Sequence, residues 1–436
     1  MNLKLIASLI FLQCFEYKNT EFGPVLELGL TVTPDRLVFI IILVSAIWKF
    51  TCGQLQFPGL GKVEYCMLLF TIICTVSSVV MGGAASRPVL YHLFDFIYNP
   101  FTIFILAKSV PHSHKQLDSL SLGFLAVGAY LAINGAFEHF ALHTLVWPKY
   151  ILDPNVGIQF GRTRGSFASS EGLGMALIVS FLFYAFYATR IKRKKLYWPY
   201  PMMLVTAGVI YTTNQRSVWV SFGLCLALLA IARTEMKQLA RVFMAFLLLG
   251  FFLGVGTHFS FWASGTLFSK RQETVSYRQA NDLTTMAMGM ANPIFGVGFD
   301  NFKSEWPKYF RPIDGSAIEI RDLTDGNHNT FLGLFAEIGL VGLVPYLMIF
   351  YHMFRIGLRV YRREEGLARE FSLLFLLVAI SYVMGANFSD YRSGRFHNTV
   401  LFLLFGAVAR IDVQGAIRGS PLAARSPESL TVSSMR

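Results

Sequence analysis

Apolar runs dominate the chain and are separated by short polar stretches. They fall near 3–16, 35–51, 63–83, 89–109, 119–140, 171–190, 197–214, 217–233, 239–258, 329–356, 370–388 and 396–411. Most approach the length that a helix needs to cross the hydrocarbon core of a bilayer, about 20 residues. Only helices and closed barrels satisfy their backbone there, and the runs lack the alternation of barrel strands. The pattern predicts an all-α polytopic membrane protein with about twelve transmembrane helices. The first run is short and polar-flanked; it reads as a short span or a cleaved signal, although no A-x-A-like site follows it.

Composition agrees. The 436 residues are 54% hydrophobic and 15% charged, with a mean hydropathy of +0.50, which excludes an ordinary soluble domain. The net charge of +12 is distributed by side. With the N-terminus inside, inner loops and helix ends carry 22 of the 38 basic and eight of the 26 acidic residues, leaving the inner side at +14 and the outer side at −2. This follows the positive-inside rule. It argues for topology and against a nucleic-acid partner.

The five cysteines (Cys14, Cys52, Cys66, Cys74 and Cys225) lie in or beside the runs and outside the two long outer loops. They predict neither a disulfide framework nor a metal site. Residues 1–411 read as one multispan domain. The stretch 412–436, rich in Ser, Pro and Arg, reads as a disordered cytoplasmic tail.

Two outer loops follow from this topology, about 141–170 and about 259–328. The second is long for a compact bundle, which favours a functional loop. Its segment Arg278–Met290 has the spacing of an amphipathic helix lying on the membrane surface. Asn292-Pro293 and Gly296-Val-Gly298 read as turns. At the end of this loop comes Asp325-Gly-Asn-His-Asn-Thr330, where His328 stands between polar loop and apolar helix. Histidine titrates near neutral pH and is the commonest general base. The alternative is a boundary histidine making ordinary hydrogen bonds. Arg216 sits between two spans with almost no loop. It is either functional or reaches for lipid phosphate. Arg164 and Arg278 are further outer cations, each open to reading as a solvated loop charge. Glu337 lies within a span, and hydrogen bonding to a neighbouring helix explains it without chemistry. His92, Asp95 and Asn99 share a helix face, as a cavity lining or as a buried polar network.

Together these segments resemble the O-antigen ligase and polymerase superfamily. His328-Asn-Thr-Phe-Leu332 followed by Glu337-Ile-Gly-Leu-Val-Gly342 is similar to the family's His signature. Ser276-Tyr-Arg278 and Pro293-Ile-Phe-Gly-Val-Gly-Phe299 resemble the loop before it. Gln215-Arg-Ser-Val-Trp219 is similar to an Arg-containing turn. Arg164-Gly-Ser-Phe-Ala-Ser-Ser-Glu-Gly172 resembles an Arg-x-x-Gly-x-Phe-x-x-Pro-Asn segment, with Ser-Glu in place of Pro-Asn.

The resemblance implies a GT-C-like helical bundle in the bacterial inner membrane, with its active site on the periplasmic side. The donor would be an undecaprenyl-pyrophosphate glycan. The acceptor would be a lipid A-core sugar, a growing glycan or a protein side chain. No metal and no cofactor would take part. In that scheme His328 takes the acceptor's proton. Arg216 and Arg278, with Arg164 as a third, hold the pyrophosphate, since arginine stays charged and binds phosphate bidentately. The expectation is a ligase-type transferase, with a polymerase of the same family as the alternative. A lipid-linked glycan transporter is the reading from another class, but the duplicated halves common in transporters are missing from the chain.

Overall fold

The computed structural model describes residues 3–17, 26–27, 31–55, 57, 59–81, 87–110, 114–191, 198–233, 238, 241–245, 266–311 and 327–418. The described chain is helical, apart from a two-residue antiparallel pair that joins Leu26–Glu27 to Thr31–Val32. The helices are α1 (Leu3–Leu12), α2 (Pro34–Thr51), α3 (Lys62–Val80), α4 (Arg87–Leu93), α5 (Asn99–Ser109), α6 (His114–His139), α7 (Ser170–Ile191), α8 (Pro199–Thr212), α9 (Arg216–Ala232), α10 (Thr266–Ala291), α11 (Thr330–Arg363), α12 (Gly366–Ala386) and α13 (Arg395–Arg418). Eleven of the twelve apolar runs fall on these helices. The run 239–258 lies outside the described residues except for 241–245, which are helical.

Among the described residues, seven helical stretches are long and apolar enough to cross a membrane: Lys62–Val80, Val89–Ser109, Gln116–His139, Ser170–Ala188, Thr330–Arg363, Gly366–Ala386 and Arg395–Ala416. α9 is a shorter apolar helix. The second of these stretches joins α4 to α5 through a π turn, Phe94–Tyr98, just before Pro100 at the start of α5. α13 runs on to Arg418, so residues 412–418 of the stretch read as a tail are helical. Asp412 is held there by Arg359 (2.9 Å) and Arg363 (3.2 Å), and residues 419–436 lie outside the described part.

Packing follows ring against ring and small residue against neighbour. Phe101 meets Phe402 and Phe104 meets Phe405, with centroids 5.0 and 4.8 Å apart, where α5 lies along α13. Gly128 of α6 faces Ser180 of α7, and Gly174 of α7 faces Val218 of α9. Lipid tails are as apolar as these side chains, so close contact takes over the role that water exclusion has in soluble cores.

α11 is broken at Gly339, where φ is 59° and ψ is −163°. The Pro293–Gly298 segment enters the break. Val297 and Gly298 donate to the carbonyls of Ala336 and Glu337 (3.0 and 2.7 Å). The amides of Leu340 and Val341 donate to Pro293 and Ile294 (2.8 and 3.1 Å). An unbroken helix would have joined those same four groups to one another. The loop therefore satisfies every backbone group that the break exposes.

α10 extends the amphipathic stretch of the sequence back to Thr266. Ala280, Asn281, Thr284, Thr285 and Met288 are buried, and the helix packs on α11. Its opposite side exposes Leu283, Met286 and Met290, followed by Ile294 and Phe295. Such an apolar outer stripe fits contact with a membrane surface.

Candidate functional site

The polar loops of the described chain meet at one end of the bundle. Hydrogen bonds tie Glu16 to Ser166 (3.1 Å), Phe299 to Ser77 (3.0 Å), Gln215 to Ser170 (2.8 Å) and Thr330 to Ser389 (2.8 Å). The candidate residues are on or beside this end.

His328 precedes the first turn of α11. Asn329 caps the helix, its side-chain oxygen accepting from Phe331 and Leu332 (3.0 and 3.1 Å). Asn327 is buried, and its side chain accepts from the Asn329 amide (2.9 Å). The two asparagines thus fix the backbone on either side of His328. The imidazole is half-buried and lies 5.7 Å from the ring of Tyr277. Tyr277 precedes Arg278 on α10, so one ring contact ties the helix of Arg278 to His328.

Arg216 is the first residue of α9 and is exposed. The turn before it is tight: Asn214 has φ of 51°, and Tyr211 stacks on Trp219 at 5.2 Å. Gln215 reaches from this turn to Ser170 at the start of α7. Arg278 is also exposed. These two cations act on a third, Arg162. Arg162 is exposed as well, and partial burial first, then the charges of Arg278 and Arg216, hold its guanidinium below the ordinary arginine value. Among the described residues none of these three arginines makes an ion pair. Like charges within electrostatic reach of one another repel, and an anion among them would relieve that repulsion.

Arg164 is elsewhere. It is only 1% exposed. Its guanidinium donates to the carbonyls of Ile151 (3.2 and 2.8 Å), Val156 (2.5 Å) and Asp153. Glu138 accepts from the backbone amides of Arg164 and Gly165. Arg164 therefore holds the 151–165 loop together from inside, and the structure does not bring it to Arg216 and Arg278. The sequence carries a signal for this difference. Counted strictly, Arg-x-x-Gly-x-Phe begins at Arg162 and runs through Gly165 and Phe167 to Ser170-Glu171.

Glu337 faces away from His328, into the break of α11. It is fully buried and accepts from the amides of Asp300 (2.7 Å) and Phe302 (3.3 Å) and from Arg392. Arg392, buried in the 389–394 turn, also pairs with Asp390 (2.5 Å). His92 joins this network through Asp300 (2.8 Å). Asp95 pairs with Arg36 (3.1 Å) and Asn99 donates to Thr399 (3.1 Å). The His92, Asp95 and Asn99 face is thus a buried polar network that locks α2, α5, α13 and the 300 loop together. Sequence reading missed Arg162 and the pairing of Arg392 with Glu337, which has no local signal because the two are 55 residues apart in the chain.

A half-buried imidazole can accept a proton, and guanidinium groups can hold an anion that gains charge. The described residues hold no group of three or more His, Cys, Asp or Glu placed to bind a metal ion. No curated protein matches the chain. The family model described as O-antigen ligase matches residues 201–347, the stretch that contains Arg216, Arg278, His328 and Glu337. That match, on the segment holding the arginine and histidine motifs, supports the chain's place in the O-antigen ligase and polymerase superfamily.

Proposed function

We propose that the protein is a ligase-type membrane glycosyltransferase. It moves a glycan from an undecaprenyl-pyrophosphate carrier to an acceptor hydroxyl on the periplasmic side of the bacterial inner membrane. The fuller topology has twelve spans with the N-terminus inside and a GT-C-like arrangement. The observation that carries this reading is the family match over residues 201–347, the stretch in which the Tyr277 ring contact ties the helix of Arg278 to His328; Arg162 lies within electrostatic reach of Arg278 and Arg216.

The steps follow from the chemistry. The acceptor hydroxyl gives its proton to the His328 imidazole as its oxygen forms a bond to the anomeric carbon. The bond from that carbon to the carrier's phosphate oxygen breaks, and its electron pair stays on the pyrophosphate. The three guanidinium groups hold that growing negative charge. Donors of this kind contribute about 3 kcal/mol each to transition-state stabilisation. His328 stands at the positive end of α11, which favours the neutral imidazole that a base requires.

The test is deletion of the gene, complementation with wild type or with His328→Ala, and a profile of envelope glycan. Loss of polymer from its anchor, with long polymer accumulating on the carrier and no rescue by His328→Ala, is the expected result. Single repeat units still attached without long chains would instead indicate a polymerase. Full rescue by His328→Ala would overturn the transferase reading.

A further inference from the structure

Glu171 is the second residue of α7 and is only 8% exposed. The Ser389 hydroxyl donates to its Oε2, while among the described residues Oε1 has no hydrogen-bond partner. The Tyr391 hydroxyl, within electrostatic reach of Glu171, is also without a partner among the described residues. A buried carboxylate oxygen left unsatisfied is costly, so its position needs an explanation.

That position lies between the two halves of the site. On one side Glu171 is within electrostatic reach of Arg278, and its neighbour Ser170 accepts from Gln215, next to Arg216. On the other side Ser389 leads to the start of α11. The Thr330 hydroxyl donates to the Ser389 carbonyl (2.8 Å) and accepts from the Tyr391 amide (2.9 Å). Thr330 is two residues from His328.

A carboxylate repels phosphate oxygens and attracts O–H or N–H donors. Beside cations that hold a pyrophosphate, the nearest such donors belong to the sugar bonded to it. We propose that Glu171 Oε1 binds hydroxyl or amide groups of the donor's first sugar, with the unpartnered Tyr391 hydroxyl as a second polar group within its electrostatic reach. Glu171 thereby sets which sugar the site accepts. This rests on the transferase reading above.

The test measures binding, so turnover is not required. Detergent-purified full-length protein is titrated with a short-chain polyprenyl pyrophosphate. It is then titrated with the same carrier bearing glucose, galactose or N-acetylglucosamine. For wild type at least one sugar should tighten binding about 10-fold or more, the scale of a hydrogen bond to a charged group. Glu171→Ala should remove that gain without weakening binding of the bare carrier. The near-isosteric Glu171→Gln, which guards against misfolding, should lose part of it. The proposal is overturned if no sugar tightens wild-type binding, or if the gain survives in both variants. It is equally overturned if Glu171→Ala weakens bare and sugar-bearing carriers alike, since Glu171 would then only orient Arg278. Failure of the bare carrier to bind wild type would sink the transferase reading itself, and this proposal with it.

Discussion

The Gly298 amide donates to the Glu337 carbonyl at 2.7 Å, through the gap that opens where α11 breaks at Gly339. This contact joins the periodic and the irregular parts of the molecule. It also places the Glu337 side chain where Arg392 and the Asp300 amide can reach it.

Gly339 has no room for a side chain. A Cβ there would lie 2.2 Å from the Ile294 carbonyl oxygen, and φ of 59° with ψ of −163° is a region used almost only by glycine. Gly296 is equally confined, 2.2 Å from the Glu337 backbone. Gly339→Ala should destabilise by about 3 kcal/mol, adding backbone strain to the clash. Thermal unfolding of the purified protein checks this; an unchanged melting temperature would contradict the described loop insertion.

Arg162 and Arg164 should separate cleanly. Arg164→Ala strips the carbonyls of Ile151, Val156 and Asp153 of their donor and should cost about 3 kcal/mol of stability. Arg162→Ala should melt as wild type while transfer falls about 100-fold, the effect of removing one charge-stabilising donor. Arg162→Lys should recover only part of that, since an ammonium cannot reproduce the bidentate fork. The opposite pattern, a stable Arg164→Ala and an active Arg162→Ala, would remove Arg162 from the site.

Glu337→Gln leaves the buried Arg392 with one anionic partner, Asp390, instead of two. Breaking a buried pair from one side typically costs about 3–5 kcal/mol, so a marked fall in melting temperature is expected. Wild-type stability in this variant would mean that the pair contributes nothing.

Asp390 gives the molecule an acid limit. Burial alone would raise its carboxyl, but Arg392's charge and hydrogen bonds hold it below the usual value. A carboxyl depressed by folding adds stability above its unfolded pKa, and that stability is lost as pH falls through the lower folded value. This contribution should therefore persist from neutral pH down to about 4 and disappear below it. Asp390→Asn should lower the neutral plateau and flatten the acid limb in melting scans. An acid limb unchanged in Asp390→Asn would assign it to other groups.

The sequence by itself determined the class of fold and the order of its helices. A bilayer accepts only long apolar helices, and the runs at 63–83, 171–190 and 370–388 could hardly be anything else. It also pointed to His328, because a polar Asn-His-Asn before an apolar run is legible as a helix start. The motif spacing alone leans to Arg162, but only the tertiary structure showed that Arg164 is buried and Arg162 exposed. Both stand in one loop with the same charge, and burial against the carbonyls of Ile151 and Val156 separates them. Similarly, the partners of Glu337 and the open oxygen of Glu171 depend on contacts between residues 55 and 218 positions apart. Local periodicity carries helices because their hydrogen bonds are local. It carries no information about which distant turn will close on which charge.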